Sequence, residues 1–254
     1  MSIIYGPVAS WRLGKSLGID LLSTKEKTCS FDCIYCQLGK TIHLLNKRRE
    51  FVSLAQLTRE LASTVNIGVD YITFSGTGEP TLASNLGHAI EIVRSTTHLP
   101  IAVLTNSSLI YREDVRCELA KVDVVVAKLD APNEKIFALI NRPILRSQFN
   151  YIVEGIKSFR EAYKGKLALQ MMFTEINKDY ASEMAAIAAE ISPDEIQINT
   201  PLRHCEAKPL PPNKIIAVQR EFIALKNVTT VYEAPRHKVT PLNPIETLWR
   251  RPEL

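Results

Sequence analysis

Three cysteines fall within eight residues, Cys29-Ser30-Phe31-Asp32-Cys33-Ile34-Tyr35-Cys36. A loop of that length brings three thiols to one centre, and thiolates are soft ligands that suit zinc or an iron-sulfur cluster. Structural zinc asks for a fourth ligand, which the remote Cys117, Cys205 or His43 would have to supply. A four-iron, four-sulfur cluster held by three cysteines instead keeps one iron open to a ligand from outside the protein.

Further polar groups stand where apolar runs stop. Phe74-Ser75-Gly76-Thr77-Gly78-Glu79-Pro80 follows a predicted strand. Its two glycines allow close backbone approach to a ligand, and Glu79 can accept hydrogen bonds or balance a cation. It lacks the Lys-Ser or Lys-Thr of a P-loop. Leu104-Thr105-Asn106-Ser107-Ser108 ends the next strand with short polar groups that serve a ligand or a turn equally well. Val124 to Asp130 puts Lys128 and Asp130 after an apolar strand, on one face if the strand runs through Asp130. Gln170, Asn199-Thr200 and Arg203 are candidates for the same rim, Arg203 as a bidentate partner of a carboxylate or phosphate, or simply of Glu206.

These groups need a scaffold that returns them to one end. Apolar runs at Leu17 to Leu22, Asp70 to Phe74, Ile101 to Leu104, Val122 to Ala127, Leu167 to Met172 and Glu195 to Ile198 read as six strands. Helical spacing separates them: Leu54, Leu57, Leu61 and Val65 behind a Ser53 cap, then 85–95, 112–119, 133–140, 148–163 and 180–190. Strand and helix in alternation imply parallel strands covered by helices, either as an incomplete barrel or as an open doubly wound sheet. A helix at 213–225 and a short strand at 228–232 follow, then a proline-rich stretch from Glu233 that reads as an ordered cover. The expected division is a core over 1–205 and an extension over 206–254.

The Cys-x3-Cys-x2-Cys spacing, with Tyr35 before the last cysteine, resembles the signature of the radical S-adenosylmethionine (SAM) superfamily. That resemblance implies an incomplete six-stranded parallel (β/α) barrel. It implies that Cys29, Cys33 and Cys36 hold one [4Fe-4S] cluster whose open iron chelates the methionine amino and carboxylate groups of SAM. Reduction by an electron donor then cleaves SAM to a 5′-deoxyadenosyl radical that abstracts a substrate hydrogen, an oxidoreductase-type step. Gly76, Thr77, Gly78 and Glu79 correspond to the turn that binds the methionine amino group, written here Gly-Thr-Gly-Glu in place of adjacent glycines. Tyr35 is expected beside adenine, with Thr105, Asn106 and Asn199 as cofactor contacts and Lys128 and Asp130 as catalytic or cofactor-binding candidates.

The opening Tyr5-Gly6-Pro7 through Gly18, continuing into Lys27 to Gly39, is similar to the radical enzyme family related to the tRNA wyosine-forming enzyme, over about residues 5 to 205. There the opening lines the cavity mouth, making Trp11, Arg12 and Lys15 candidate substrate contacts. The wyosine enzyme builds a tricyclic guanosine from pyruvate and carries further cysteines upstream; Met1 to Thr28 has none. The expected substrate is therefore a small metabolite or a tRNA, and Lys40, His43, Lys47, Arg48 and Arg49 form either an RNA-contacting or a solvated loop.

Composition bounds the rest. Of 254 residues, 46% are hydrophobic and 23% charged, which excludes disordered and fibrous classes. Five unevenly spaced cysteines argue against a paired secreted scaffold, and the start lacks a signal-peptide pattern, so a cytoplasmic chain with no membrane insertion is expected. The formal charge of +4 lies wholly in 201–254, where nine basic residues meet five acidic ones. A metal-binding or redox protein that never cleaves SAM is the alternative of a different class.

Overall fold

The computed structural model describes residues 2–64, 67–145, 148–234 and 238–252. Val65 and Pro235, which entered the helix and tail readings, lie outside them. The apolar runs become strands and the periodic stretches helices. In chain order they are β1 (Ile4–Ser10), β2 (Gly14–Ile19), β3 (Thr28–Cys29), β4 (His43–Leu44), α1 (Leu54–Ala62), β5 (Tyr71–Phe74), α2 (Leu86–Thr96), β6 (Ile101–Thr105), α3 (Glu113–Leu119) and β7 (Val124–Lys128). There follow α4 (Glu134–Ile140), α5 (Phe149–Ala162), β8 (Lys166–Met172), α6 (Ala181–Ile191), β9 (Glu195–Asn199), α7 (Pro212–Glu221), β10 (Val228–Thr230) and α8 (Pro244–Arg250).

The main sheet runs β1-β2-β5-β6-β7-β8-β9-β10, parallel throughout except for the β1–β2 hairpin. Its edges, β1 and β10, do not pair with each other among the described residues, so the barrel is incomplete. The six expected strands are present and the short strand expected at 228–232 joins their edge as β10, while the hairpin strand β1 adds an eighth that the apolar pattern did not announce. The first expected strand is also displaced, from 17–22 to Gly14–Ile19. Gly14, Lys15, Ser16 and Gly18 interrupt its apolar pattern because the strand is matched to a partner: a Cβ at Gly18 would overlap the Tyr5 ring.

Period-two alternation gives the sheet two apolar faces. Val125 and Ala127 join the large core beneath the helices. Val124 and Val126 turn inward with Leu13, Ala102 and Ala168. Register aligns Ala102 with Val124 and Val126 with Ala168, so small side chains alternate with branched ones and leave room inside. Ser53 caps α1 as expected, its hydroxyl accepting from Gln56 N at 3.3 Å. The covering stretch after Glu233 contains a helix that its prolines concealed: Asn243 caps α8, Pro244 opens it, and it packs on β1. No helix among the described residues is long and apolar enough to cross a membrane.

Candidate active site

Asp20 follows the last residue of β2, at the start of the segment that leads to the cysteine loop. This carboxylate is buried and saturated. Its Oδ1 accepts from Leu22 N (3.2 Å) and Ser23 N (3.0 Å), and its Oδ2 from Thr77 N (3.1 Å), the Thr77 hydroxyl (2.9 Å) and Arg250 Nε (2.9 Å). Gly76 lies against Asp20 at φ +153°, where a Cβ would overlap the carboxyl group. Thr77 therefore turns its hydroxyl away from the cavity, while its neighbours Ser75, Gly76, Gly78 and Glu79 line it.

Gly78 joins the two loops directly. It forms a parallel bridge with Thr28, and a Cβ there would overlap the Thr28 carbonyl oxygen. Neither backbone can yield without moving Cys29. Gly78→Ala is accordingly expected to cost about 3 kcal/mol or more, read as a lowered unfolding temperature together with poor iron retention after reconstitution. A variant with wild-type unfolding would remove this contact from the account.

Glu79 is buried, and its carboxylate ties the end of β5 to the end of β6. Oε1 accepts from Thr81 N (3.1 Å), the Thr81 hydroxyl (2.7 Å) and the Thr105 hydroxyl (2.7 Å), while Oε2 accepts from Asn106 N (2.6 Å). Burial raises its pKa, against the pull of these donors. The side-chain amide of Asn106 in turn donates to the Ser30 hydroxyl (2.9 Å) and to Cys29 Sγ (3.5 Å). Thr105 and Asn106 thus stand at the expected strand end, with Thr105 engaged by Glu79 and Asn106 facing the cysteine loop.

A second polar cluster stands behind Tyr35. Its hydroxyl donates to Asp130 Oδ2 and accepts from Lys128 Nζ (3.1 Å) and Asn141 Nδ2 (3.1 Å). Asn141 Nδ2 also reaches Asp130 Oδ2 (2.9 Å) and Cys33 Sγ (3.5 Å), and Asp130 Oδ1 accepts from Met172 N (2.9 Å). Lys128 Nζ lies 4.2 Å from the Tyr35 ring centroid. Burial and the adjoining Asp130 carboxylate hold the Tyr35 phenol well above its ordinary range. Because β7 ends at Lys128, strand alternation does not put Lys128 and Asp130 on one face. Lys128 lines the cavity, and Asp130 is enclosed behind Tyr35.

Cys29, Cys33 and Cys36 all line one cavity of about 500 Å³, together with Tyr35, Gly76, Gly78, Glu79, Thr105, Asn106, Lys128, Gln170 and Asn199. Burial pushes the Cys29 thiol up to about 12, with Cys33 adding to it. Burial likewise pushes Cys33 up to about 11, against the pull of Lys128. Among the described residues no three His, Cys, Asp or Glu side chains form a set for a single metal ion. A cluster makes a different demand, one thiolate at each of three corners, and the donor set here fits it: three soft ligands on one loop, two already accepting N–H groups from Asn106 and Asn141. Two of the zinc completions lie elsewhere. Cys117 is exposed on α3, and His43 is exposed beside Glu26 at 2.9 Å. Cys205, near Cys36, donates to Ala207 O at 3.0 Å.

Trp11, Arg12 and Arg203 also line the cavity, whereas Lys15 is exposed outside it. Arg203 does not pair with Glu206, which is held by Arg142; its Nε donates to Pro252 O at 2.6 Å. Arg48, read with the basic loop, is committed to Asp114 and Glu118 and to the carbonyls of Thr81 and Ala83, and so braces the fold instead of offering charge to RNA. Sequence reasoning missed Asp20, Ser30, Asn141 and Arg250, each an ordinary polar residue without a local pattern. Their significance comes from partners as far as 230 positions away.

A family model described as the Radical SAM superfamily matches residues 27–188. The chain is 40% identical over 241 residues to a UPF0026 protein of Methanocaldococcus jannaschii, covering 90% of this chain and 74% of that one. Two solved structures share the fold. Streptococcus suis SuiB bound to S-adenosylmethionine superposes with TM-score 0.63 at 17% identity, covering 81% of this chain. TYW1 with a lysine-pyruvate adduct bound superposes with TM-score 0.61 at 14% identity, covering 82% of this chain and 72% of that one. The chain spans about half the length of SuiB, with 48% of it covered. The loop carrying Cys29, Cys33 and Cys36 and the incomplete parallel barrel that holds it are therefore those of a known enzyme class, and the chain belongs to the radical SAM superfamily.

Proposed function

We propose that this chain holds one [4Fe-4S] cluster on Cys29, Cys33 and Cys36 and, with an electron donor, cleaves SAM reductively to abstract hydrogen from a substrate inside the cavity. The observation that supports this reading most is the convergence of three thiols, the Gly76–Glu79 turn and the β6 terminus on one cavity. When bound, the cluster and SAM supply the 5′-deoxyadenosyl radical, the hard chemistry that no side chain here can perform. The protein's part is placement. Asn106 and Asn141 donate to two of the sulfurs, which stabilises them as thiolates. Gly76 and Gly78 present backbone to the methionine end of SAM, and Glu79 fixes that turn against Thr105 and Asn106. Lys128 bears on the Tyr35 ring and Asp130 holds its hydroxyl, fixing the wall beside the cluster. Asn199 stands at the end of β9 as a further cofactor contact.

The apolar inner face beneath these groups supports this reading, because a reactive radical requires surroundings that it does not attack and that limit water. The same reading takes residues 1–205 as the core, 206–254 as its cover, and the reducing cytoplasm as its compartment. Its substrate enters an interior chamber, which favours a small molecule over a folded RNA surface. Anaerobic reconstitution with iron and sulfide, followed by reduction with SAM, tests it. A [4Fe-4S] resonance and 5′-deoxyadenosine are expected, and a reconstituted chain that forms neither defeats the proposal.

A further inference from the structure

The cavity's charge is divided unevenly. Its buried acid, Glu79, is saturated by four donors. Two of its cations are paired with carboxylates, Lys27 with Asp32 and Arg250 with Asp20 and Glu246, and Lys128 stands apart beside the cysteine loop, bearing on the Tyr35 hydroxyl and ring. Three arginines of the cavity have no ion pair among the described residues. Arg12 in the β1–β2 turn, Arg203 after β9 and Arg251 after α8 all line the cavity. The arginines that form ion pairs among the described residues are different ones, such as Arg48, Arg142 and Arg160.

The three are positioned, not loose. Arg203 Nε is anchored to Pro252 O at 2.6 Å, and Arg251 donates to Ala9 O at 2.6 Å. The Arg12 guanidinium sits 5.2 Å from the Trp11 ring centroid, and its Nε is buried without a hydrogen-bond partner among the described residues. Each perturbs the next. Burial pushes Arg12 down to about 9, with Arg251 and then Arg203 adding to the effect, and burial with Arg251 pushes Arg203 down to about 10. Burial also lowers Arg251. The acid that bears on Arg12, Glu195, is itself paired with Lys166.

We infer that Arg12, Arg203 and Arg251 form an anion subsite that takes the phosphate or diphosphate group of a small substrate. A guanidinium fork matches phosphate oxygens in pairs. One carboxylate, such as that of SAM, would offset one charge of three, whereas a phosphate or diphosphate offsets two or more. The three side chains come from the hairpin turn, the β9 loop and the end of α8, not from the cysteine loop or the Gly76–Glu79 turn. The inference rests on the proposed reading of this cavity as the reaction chamber and names the class of molecule that enters it.

Titration of the full chain with inorganic diphosphate at fixed low ionic strength tests the subsite without turnover. Saturable one-to-one binding is expected, weakened at least tenfold in Arg12→Gln and in Arg203→Gln and unchanged in Arg59→Gln, an exposed control on α1. Arg12→Gln relieves a repulsion and removes an Nε that has no hydrogen-bond partner among the described residues, so that variant should unfold at or above the wild-type temperature, which separates lost binding from lost fold. Three outcomes overturn the proposal: no saturable binding by the wild type, an equal loss in Arg59→Gln, or competitive displacement of diphosphate by SAM. A chain that forms 5′-deoxyadenosine but does not bind diphosphate loses the subsite alone. One that binds diphosphate but forms no 5′-deoxyadenosine loses the radical reading alone.

Discussion

Cys29→Ala, Cys33→Ala and Cys36→Ala are each expected to lose iron after anaerobic reconstitution and to form 5′-deoxyadenosine at background level. The three thiols line the cavity, and neither of the other two cysteines does. Cys117 is exposed on α3, and Cys205 already donates to Ala207 O. Changing a partner behind a metal ligand typically costs 10–100-fold in affinity, so removing a ligand itself should exceed about a hundredfold. Cys117→Ser is the matched control and should behave as wild type. Iron and sulfide content, the cluster resonance and 5′-deoxyadenosine yield are the measurements. Full iron and full cleavage in any one of the three alanine variants would remove that cysteine from the ligand set.

The second large effect concerns the other end of the chain. Arg250 is 2% exposed and donates through all three of its nitrogens: to Asp20, to Glu246 at 2.6 Å, and to Ser2 O (2.6 Å) and the Ser23 hydroxyl (2.9 Å). Arg250→Met keeps most of the volume and removes the charge, leaving the 1% exposed Asp20 without its cation. Breaking a buried pair from one side costs about 3–5 kcal/mol. At roughly 2–4 °C per kcal/mol for a chain of this size, the unfolding midpoint should fall by roughly 6–20 °C. Asp20 also holds Thr77, so the variant should need more SAM for half-maximal cleavage. A midpoint within about 2 °C of wild type would show that the pair is structurally idle.

Legibility followed locality. β5 to β9 were readable because a strand buried on both faces is written as a short apolar run between turn residues, as in Tyr71–Phe74 before Ser75 and Gly76. β2 was misplaced because its fitness depends on Tyr5, a cross-strand partner that pattern alone cannot supply. In the site, the cysteine loop and the Gly-Thr-Gly-Glu turn were legible as compact motifs. The environments of their members were not. Thr77 faces Asp20 instead of the cavity, and Asp130 acts through the Tyr35 hydroxyl, because both orientations are decided by burial among distant segments. Asn141 illustrates the limit. A lone asparagine at the end of α4 carries no signal, yet it links Cys33, Tyr35 and Asp130.

The pairing of Asp20 with Arg250 also has a consequence in time. The two residues are 230 positions apart. At about 5–20 residues per second, a ribosome needs on the order of 10–50 s to make the second after the first. For that interval the carboxylate beside the glycine turn is hydrated, and Thr77 is held by a group that lacks its counter-charge. The helix that carries Arg250, α8, is therefore made well after the cysteine loop, and a nascent chain displays that loop before the Asp20–Arg250 pair can form. A cluster held by Cys29, Cys33 and Cys36, as proposed, would meet a completed Asp20–Arg250 pair only after residue 250 has emerged.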